Sequence, residues 1–161
     1  MGLKKMRKIS IFTGTRAEYG ILYWIIKGLN EAKDIDMTLL VGGMHLSPEF
    51  GKTIDQIRND GFPIKDTFEF ILSSETPVGI SKSMALASIS SAESFDRNKP
   101  DLLIILGDRF EALSVAQSAM IARIPIAHIH GGEITQGLID EAIRHSITKM
   151  SHAHFVANKI Y

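Results

Sequence analysis

Along the 161-residue chain, short unbroken apolar runs alternate with longer stretches in which apolar residues return every third or fourth position. Unbroken runs suit strands buried on both faces, and a return near 3.6 residues suits helices laid against them. Ile9–Thr13 is predicted as the first strand, and Ile21, Leu22, Ile25, Ile26 and Leu29 predict a helix over about Tyr19–Lys33. Met37–Val41 predicts a second strand, closed by Gly42-Gly43. With Ser47 as cap and Pro48 in its first turn, a helix carrying Phe50, Ile54 and Ile57 should run to Asn59-Asp60-Gly61. A third strand is expected within Phe62–Phe70, toward an edge of the sheet because Pro63 has no N–H to give a ladder. Ser73–Gly79 reads as a loop and Ser81–Phe95, rich in Ala, Ser and Met, as a closely packed helix. Strand four at Leu102–Leu106, a helix over Phe110–Arg123, strand five at Ile124–Ile129, a helix over Asp140–Ser151 and a last run at Ala153–Ala157 complete the series. Phe50, Met84 and Phe95 are expected in the core.

Six strands alternating with five helices predict an α/β, doubly wound, Rossmann-like parallel sheet in one domain. A strand order of 3-2-1-4-5-6 puts the topological switch between strands one and four, where open α/β sheets bind ligands at their carboxyl edge. Gly14-Thr15-Arg16 then faces Gly107-Asp108-Arg109 across a crevice. The runs Leu102–Leu106 and Ile124–Ile129 both end in ionisable residues beside glycine, so Asp108, His130, Glu133 and Asp140 are expected in one cleft. The chain stops at Lys159-Ile160-Tyr161 without a closing helix, which predicts a longer protein.

Composition narrows the partners. Eighteen basic and eighteen acidic residues balance, so there is no electrostatic footprint for nucleic acid or an anionic membrane. There is no cysteine, hence no disulfide or thiolate metal site. No apolar run approaches the roughly 20 residues that span a bilayer. The basic leader Met1-Gly-Leu-Lys-Lys-Met-Arg-Lys is followed by a stretch broken at Thr13 and Arg16, unlike a signal peptide, and a cytoplasmic location is expected.

The candidate chemistry points to an anion. Thr13-Gly-Thr-Arg-Ala-Glu-Tyr-Gly joins a strand to a helix, where free backbone N–H groups and Arg16 would receive negative charge. It lacks both the Gly-Lys-Ser/Thr ending of a phosphate-binding P-loop and the Gly-x-Gly-x-x-Gly dinucleotide fingerprint, which disfavours nicotinamide and flavin cofactors. Asp108 at a strand end is open to opposed pressures from burial and from Arg109, as acid–base groups often are, or it caps the following helix. His128 and His130 fall on one side of an extended segment near Glu133 and Asp140. That spacing is common, no third histidine has registry with the pair, and neither a metal nor a cofactor is expected. Gly131-Gly132 allows close backbone approach and favours Glu133 as a cleft residue. Asp140 and Arg144 share a helix face, which is also the spacing of an ordinary ion pair.

Five motifs in order carry a resemblance: Gly14-Thr-Arg-Ala-Glu-Tyr-Gly, Gly43-Met-His-Leu-Ser, Leu106-Gly-Asp-Arg-Phe-Glu, His128-Ile-His-Gly-Gly-Glu and Ile139-Asp-Glu-Ala-Ile-Arg-His-Ser-Ile-Thr-Lys. Together they resemble UDP-N-acetylglucosamine 2-epimerases, and the hydrolysing branch of sialic- and legionaminic-acid synthesis more than the non-hydrolysing one. The resemblance implies the amino-terminal half of a two-domain GT-B fold, inactive alone and paired as a homodimer. It implies conversion of UDP-N-acetylglucosamine to N-acetylmannosamine and UDP through a 2-acetamidoglucal. The alternatives are a UDP- or GDP-linked 2,4-diacetamido-trideoxyhexose as substrate, a GT-B glycosyltransferase, or a nucleotide-sugar-binding module. Carried over by motif, Asp108 and Asp140 are the acid–base carboxylates. Gly14, Arg16, His45, Arg109, Arg144 and His145 face the nucleotide sugar. His130 stands where several relatives have a catalytic glutamate, so the third catalytic role falls to His130 or Glu133.

Overall fold

The computed structural model describes residues 6–134 and 139–158. The basic leader before Met6 and the Lys159-Ile160-Tyr161 end, on which the expectation of a longer protein was based, lie outside the described residues.

Six parallel strands form one sheet in the order β3-β2-β1-β4-β5-β6. They are β1 (Arg7–Thr13), β2 (Ile35–Gly42), β3 (Ile64–Phe68), β4 (Leu102–Leu106), β5 (Ile126–Ile129) and β6 (Ala153–Phe155). The doubly wound sheet and its order are as expected, with β3 at an edge. Alternate strand residues enter two cores. Ile9, Ile11, Leu39, Val41, Ile104 and Leu106 meet α1 (Arg16–Glu31) and α2 (Ile54–Asn59) on one face. Phe12, Leu40, Leu103, Ile105 and Ile126 meet α3 (Pro77–Asn98), α4 (Phe110–Ile121) and α5 (Ile139–Met150) on the other.

The departures from the expected elements have local causes. α1 begins three residues early because Thr15 and Glu18 form a capping box, each side chain bonded to the other's backbone N–H. The expected helix from Ser47 is broken. Pro48–Phe50 makes one tight turn, and Gly51 and Lys52 then take left-handed φ values of 82° and 45°. Phe50 is consequently 43% exposed and is not a core residue, whereas Phe95 is buried. α3 starts at Pro77, inside the expected loop, because Thr76 caps it by accepting from the Gly79 N–H at 3.1 Å.

Candidate functional site

β4 and β5 pair in parallel from Leu103–Ile126 to Leu106–Ile129, so the segments beginning at Gly107 and His130 leave the sheet side by side. Gly107 turns with φ of 82°, a conformation glycine takes without strain. Behind this turn His128 is buried, with Nε2 2.7 Å from the Gly107 carbonyl. A carbonyl only accepts, so Nε2 carries the proton. Burial lowers the ring's pKa, and the neutral ring's Nδ1 accepts from the Thr148 hydroxyl at 3.1 Å. His128 is therefore a satisfied structural histidine with no nitrogen left for a ligand.

In front of the turn, Arg144 joins the two strand ends. This arginine is 6% exposed. Its Nη2 donates to Asp108 Oδ2, and its Nη1 donates to the Glu133 carbonyl at 2.8 Å. The Glu133 carboxylate lies 2.9 Å from His130 Nδ1. His130 has φ of 60°, a left-handed conformation that a residue with a β-carbon adopts at a cost. Asp108, Arg144, Glu133 and His130 thus form one connected set at the sheet's carboxyl edge. Asp108 does not cap α4, since Arg109 holds the cap position. Asp140 stands one turn before Arg144 on α5, within the electrostatic field of Arg109.

Across the switch point the loop after β1 differs from the expectation. The N–H groups of Gly14 and Thr15 are not free for an anion. They donate to Glu18 Oε2 at 2.7 and 3.1 Å, and the Glu18 N–H donates to Thr15 Oγ1. Arg16, the first residue of α1, is exposed. Gly14 packs against Glu111, where an added β-carbon would lie 3.1 Å from Cγ. Glu111 is fully buried and accepts from Arg109 Nε at 2.8 Å. Sequence reasoning missed both glutamates. Thr15-x-x-Glu18 is a legible capping-box pattern, but Glu111 has no local signal.

Two further candidates fall away from the cluster. His45 is buried, with Nε2 3.0 Å from Thr13 Oγ1 and Nδ1 2.7 Å from Thr53 Oγ1, and burial pushes its pKa down to about 4. It braces the β1 and β2 ends from inside. His145 is half exposed beside Glu141 at 3.7 Å. Among the described residues, no group of three or more His, Asp or Glu is arranged to hold a metal ion, and no helix is long and apolar enough to cross a membrane.

A cavity of about 440 Å³ opens beside Arg109. Met44, Phe50, Ile71, Leu72, Ile80 and Phe110 give it mostly apolar walls, with Glu49, Ser73, Ser74 and Glu75 at other positions around it.

The family model described as UDP-N-acetylglucosamine 2-epimerase matches residues 27–161. A GDP/UDP-N,N'-diacetylbacillosamine 2-epimerase (hydrolyzing) from Campylobacter jejuni is 43% identical over 96% of this chain and 40% of its own length. A UDP-N,N'-diacetylbacillosamine 2-epimerase (hydrolyzing) from Legionella pneumophila is 39% identical over 96% of this chain and 41% of its own length. The chain therefore spans about two fifths of these relatives. The crystal structure of a Neisseria meningitidis UDP-GlcNAc 2-epimerase bound to UDP-GlcNAc shares the fold, with a TM-score of 0.79 at 20% identity over 94% of this chain and 40% of that one.

Proposed function

Because the chain belongs to the UDP-N-acetylglucosamine 2-epimerase family, we propose that the full-length protein is a hydrolysing 2-epimerase of a UDP- or GDP-linked 2,4-diacetamido-trideoxyhexose. The residues described here form its amino-terminal, GT-B-type half. The observation that carries the reading is the connected set Asp108–Arg144–Glu133–His130 at the edge where β4 and β5 end.

The C2–H bond of a glycosyl diphosphate is weakly acidic, so its cleavage must accompany departure of the diphosphate from C1. A carboxylate takes the C2 proton while the C1–O bond breaks, leaving a glycal and the nucleoside diphosphate. Water then adds its hydroxyl to C1, and a proton reaches C2 from the opposite face, which frees the epimerised sugar. Positioned carboxylates serve the two proton transfers, and arginines offset the developing negative charge of the leaving group. We assign the transfers to Asp108 and Asp140, with His130 or Glu133 as the third proton-carrying group. Arg144 aims Asp108, while Arg16 and Arg109 face the diphosphate.

N-acetylglucosamine was the first expectation from the motifs, but the relatives at 43% and 39% identity favour the diacetamido sugar. The apolar cavity beside Arg109 suits a sugar in which an acetamido and a methyl group replace hydroxyls. Nucleotide sugars are anions that do not diffuse across membranes, which supports a cytoplasmic enzyme. Exposed Ile89 on α3 and Met120 and Ile121 on the neighbouring α4 support a homodimer.

The test is proton NMR in deuterium oxide of the full-length protein with each nucleotide sugar separately. Deuterium at C2 of the free, epimerised diacetamido sugar is expected, with slower conversion of UDP-N-acetylglucosamine. An unchanged substrate overturns the reading, and product that forms only when an acceptor is added identifies a glycosyltransferase.

A further inference from the structure

Glu18 and Glu111 are not used by the mechanism above, yet they are the most deeply buried carboxylates near it, at 7% and 0% exposure. They meet at Gly14, where a β-carbon would lie 3.4 Å from Glu111 Oε1 and 3.5 Å from Glu18 Oε2. One oxygen of each is well held. Glu18 Oε2 accepts from the Gly14 and Thr15 amides, and Glu111 Oε1 accepts from Arg109. The other oxygen of each, Glu18 Oε1 and Glu111 Oε2, is buried without a hydrogen-bond partner. Two carboxylates thus share one cation, and Arg109 is also drawn toward Asp140. A buried excess negative charge with unsatisfied oxygens is costly, and a proton on one of the carboxylates removes the excess charge.

We propose that Glu18 carries a proton beside the buried Glu111 carboxylate beneath the Gly14–Arg16 loop, the two acting as positioning residues, and that this proton is drawn in when a nucleotide-sugar diphosphate binds above. The inference rests on the reading of the protein as a nucleotide-sugar epimerase. The groups that face Glu18 are Glu111 from α4, Arg109 from the turn before α4, and the Gly14 and Thr15 amides. Asp140 of α5 acts through Arg109, and the nearby His45 is neutral. Burial pushes Glu18 up to about 7, with Glu111 adding to the rise and the amides and Arg109 opposing it. A diphosphate on Arg16 and Arg109 adds negative charge beside this pair, so it binds better when the pair is protonated. Below pH 7 the proton is already present, and above it binding must recruit one.

The test is KM and kcat of the full-length enzyme between pH 6 and 9. The wild-type KM should rise above pH 7, at most about tenfold per pH unit for one linked proton. Glu18→Gln carries its hydrogen permanently and still accepts from the loop amides, so its KM should stay at the low-pH wild-type value throughout. Glu111→Gln removes the like charge and should move the step to lower pH, which keeps the test open if the first variant does not fold. Any pH dependence of kcat that comes from His130 should persist in Glu18→Gln. A KM that rises equally in wild type and Glu18→Gln, or that is flat in both, overturns the proposal. Failure to consume any nucleotide sugar is a different result and sinks the epimerase reading; the pH dependence of UDP-sugar binding by calorimetry then still tests the pair.

Discussion

Asp108 lies one residue too early to cap α4, and that displacement leaves its carboxylate to Arg144. The pair is held against the sheet edge with the arginine almost wholly buried, so the aspartate carboxylate has a fixed direction. In the full-length enzyme Asp108→Asn should keep the shape but not the proton transfer, lowering kcat on the order of 10²–10⁴-fold. UDP affinity should change by no more than a few fold. UDP-release assays and calorimetric titrations check the two halves of this statement, and near-normal UDP release would remove Asp108 from the mechanism. The meeting of Asp108, His130 and Glu133 at the carboxyl edge was legible because ionisable residues beside glycine at the end of an apolar run have few other places to go, whereas Arg144, inside α5, was marked only by sharing a helix face with Asp140. His45 sits in a similar place after β2 but turns inward, since the tight turn over Gly43–His45 delivers the ring between Thr13 and Thr53. Nothing local distinguishes those outcomes. Glu111 was illegible because its burial depends on Gly14, nearly a hundred residues away in sequence.

At the level of elements, the order of strands followed from the alternation of runs and from right-handed crossovers, while several boundaries did not. Boundaries are set by single side-chain bonds: Glu18 back to the Thr15 amide, Thr76 to the Gly79 amide, and the left-handed Gly51 that stops the helix expected from Ser47. The junction of β4, β5 and α5 is the element contact on which the site depends. There His128 is bonded to Gly107 and Thr148, and Gly131 leaves room for the histidine ring. A β-carbon at Gly131 would lie 2.6 Å from His128 Nδ1 and 2.8 Å from Thr148 Oγ1. Both neighbours are buried or half-buried and hydrogen-bonded, so Gly131→Ala must displace the ring or the helix. A loss of about 2–3 kcal/mol in stability is expected, the range of a broken buried network, measured by the denaturant midpoint. Wild-type stability in that variant would show that the clamp yields freely.

Across the whole domain, two buried groups that pack against the loop after β1, His45 and Glu18, make stability respond to pH in opposite directions. His45 titrates at about 4 when folded and near 6.5 when unfolded. Between these values the unfolded chain binds more protons, so its contribution is complete above pH 6.5 and is lost as pH falls toward 4. Glu18 titrates at about 7 when folded and near 4.5 when unfolded. Here the folded state holds the extra proton, so its contribution is complete below pH 4.5 and is lost as pH rises toward 7. Each displacement corresponds to about 3 kcal/mol, and the two slopes oppose each other over the shared interval from about 4.5 to 6.5. Glu18→Gln should unmask the histidine slope, so that its stability relative to wild type grows by up to about 3 kcal/mol as pH is raised from 4.5 to 7. His45→Gln should show the reverse, losing ground to wild type by a similar amount over about pH 4 to 6.5. Urea denaturation at closely spaced pH values reads both differences, and parallel wild-type and variant curves would mean that neither group is held in the protonation state its surroundings favour.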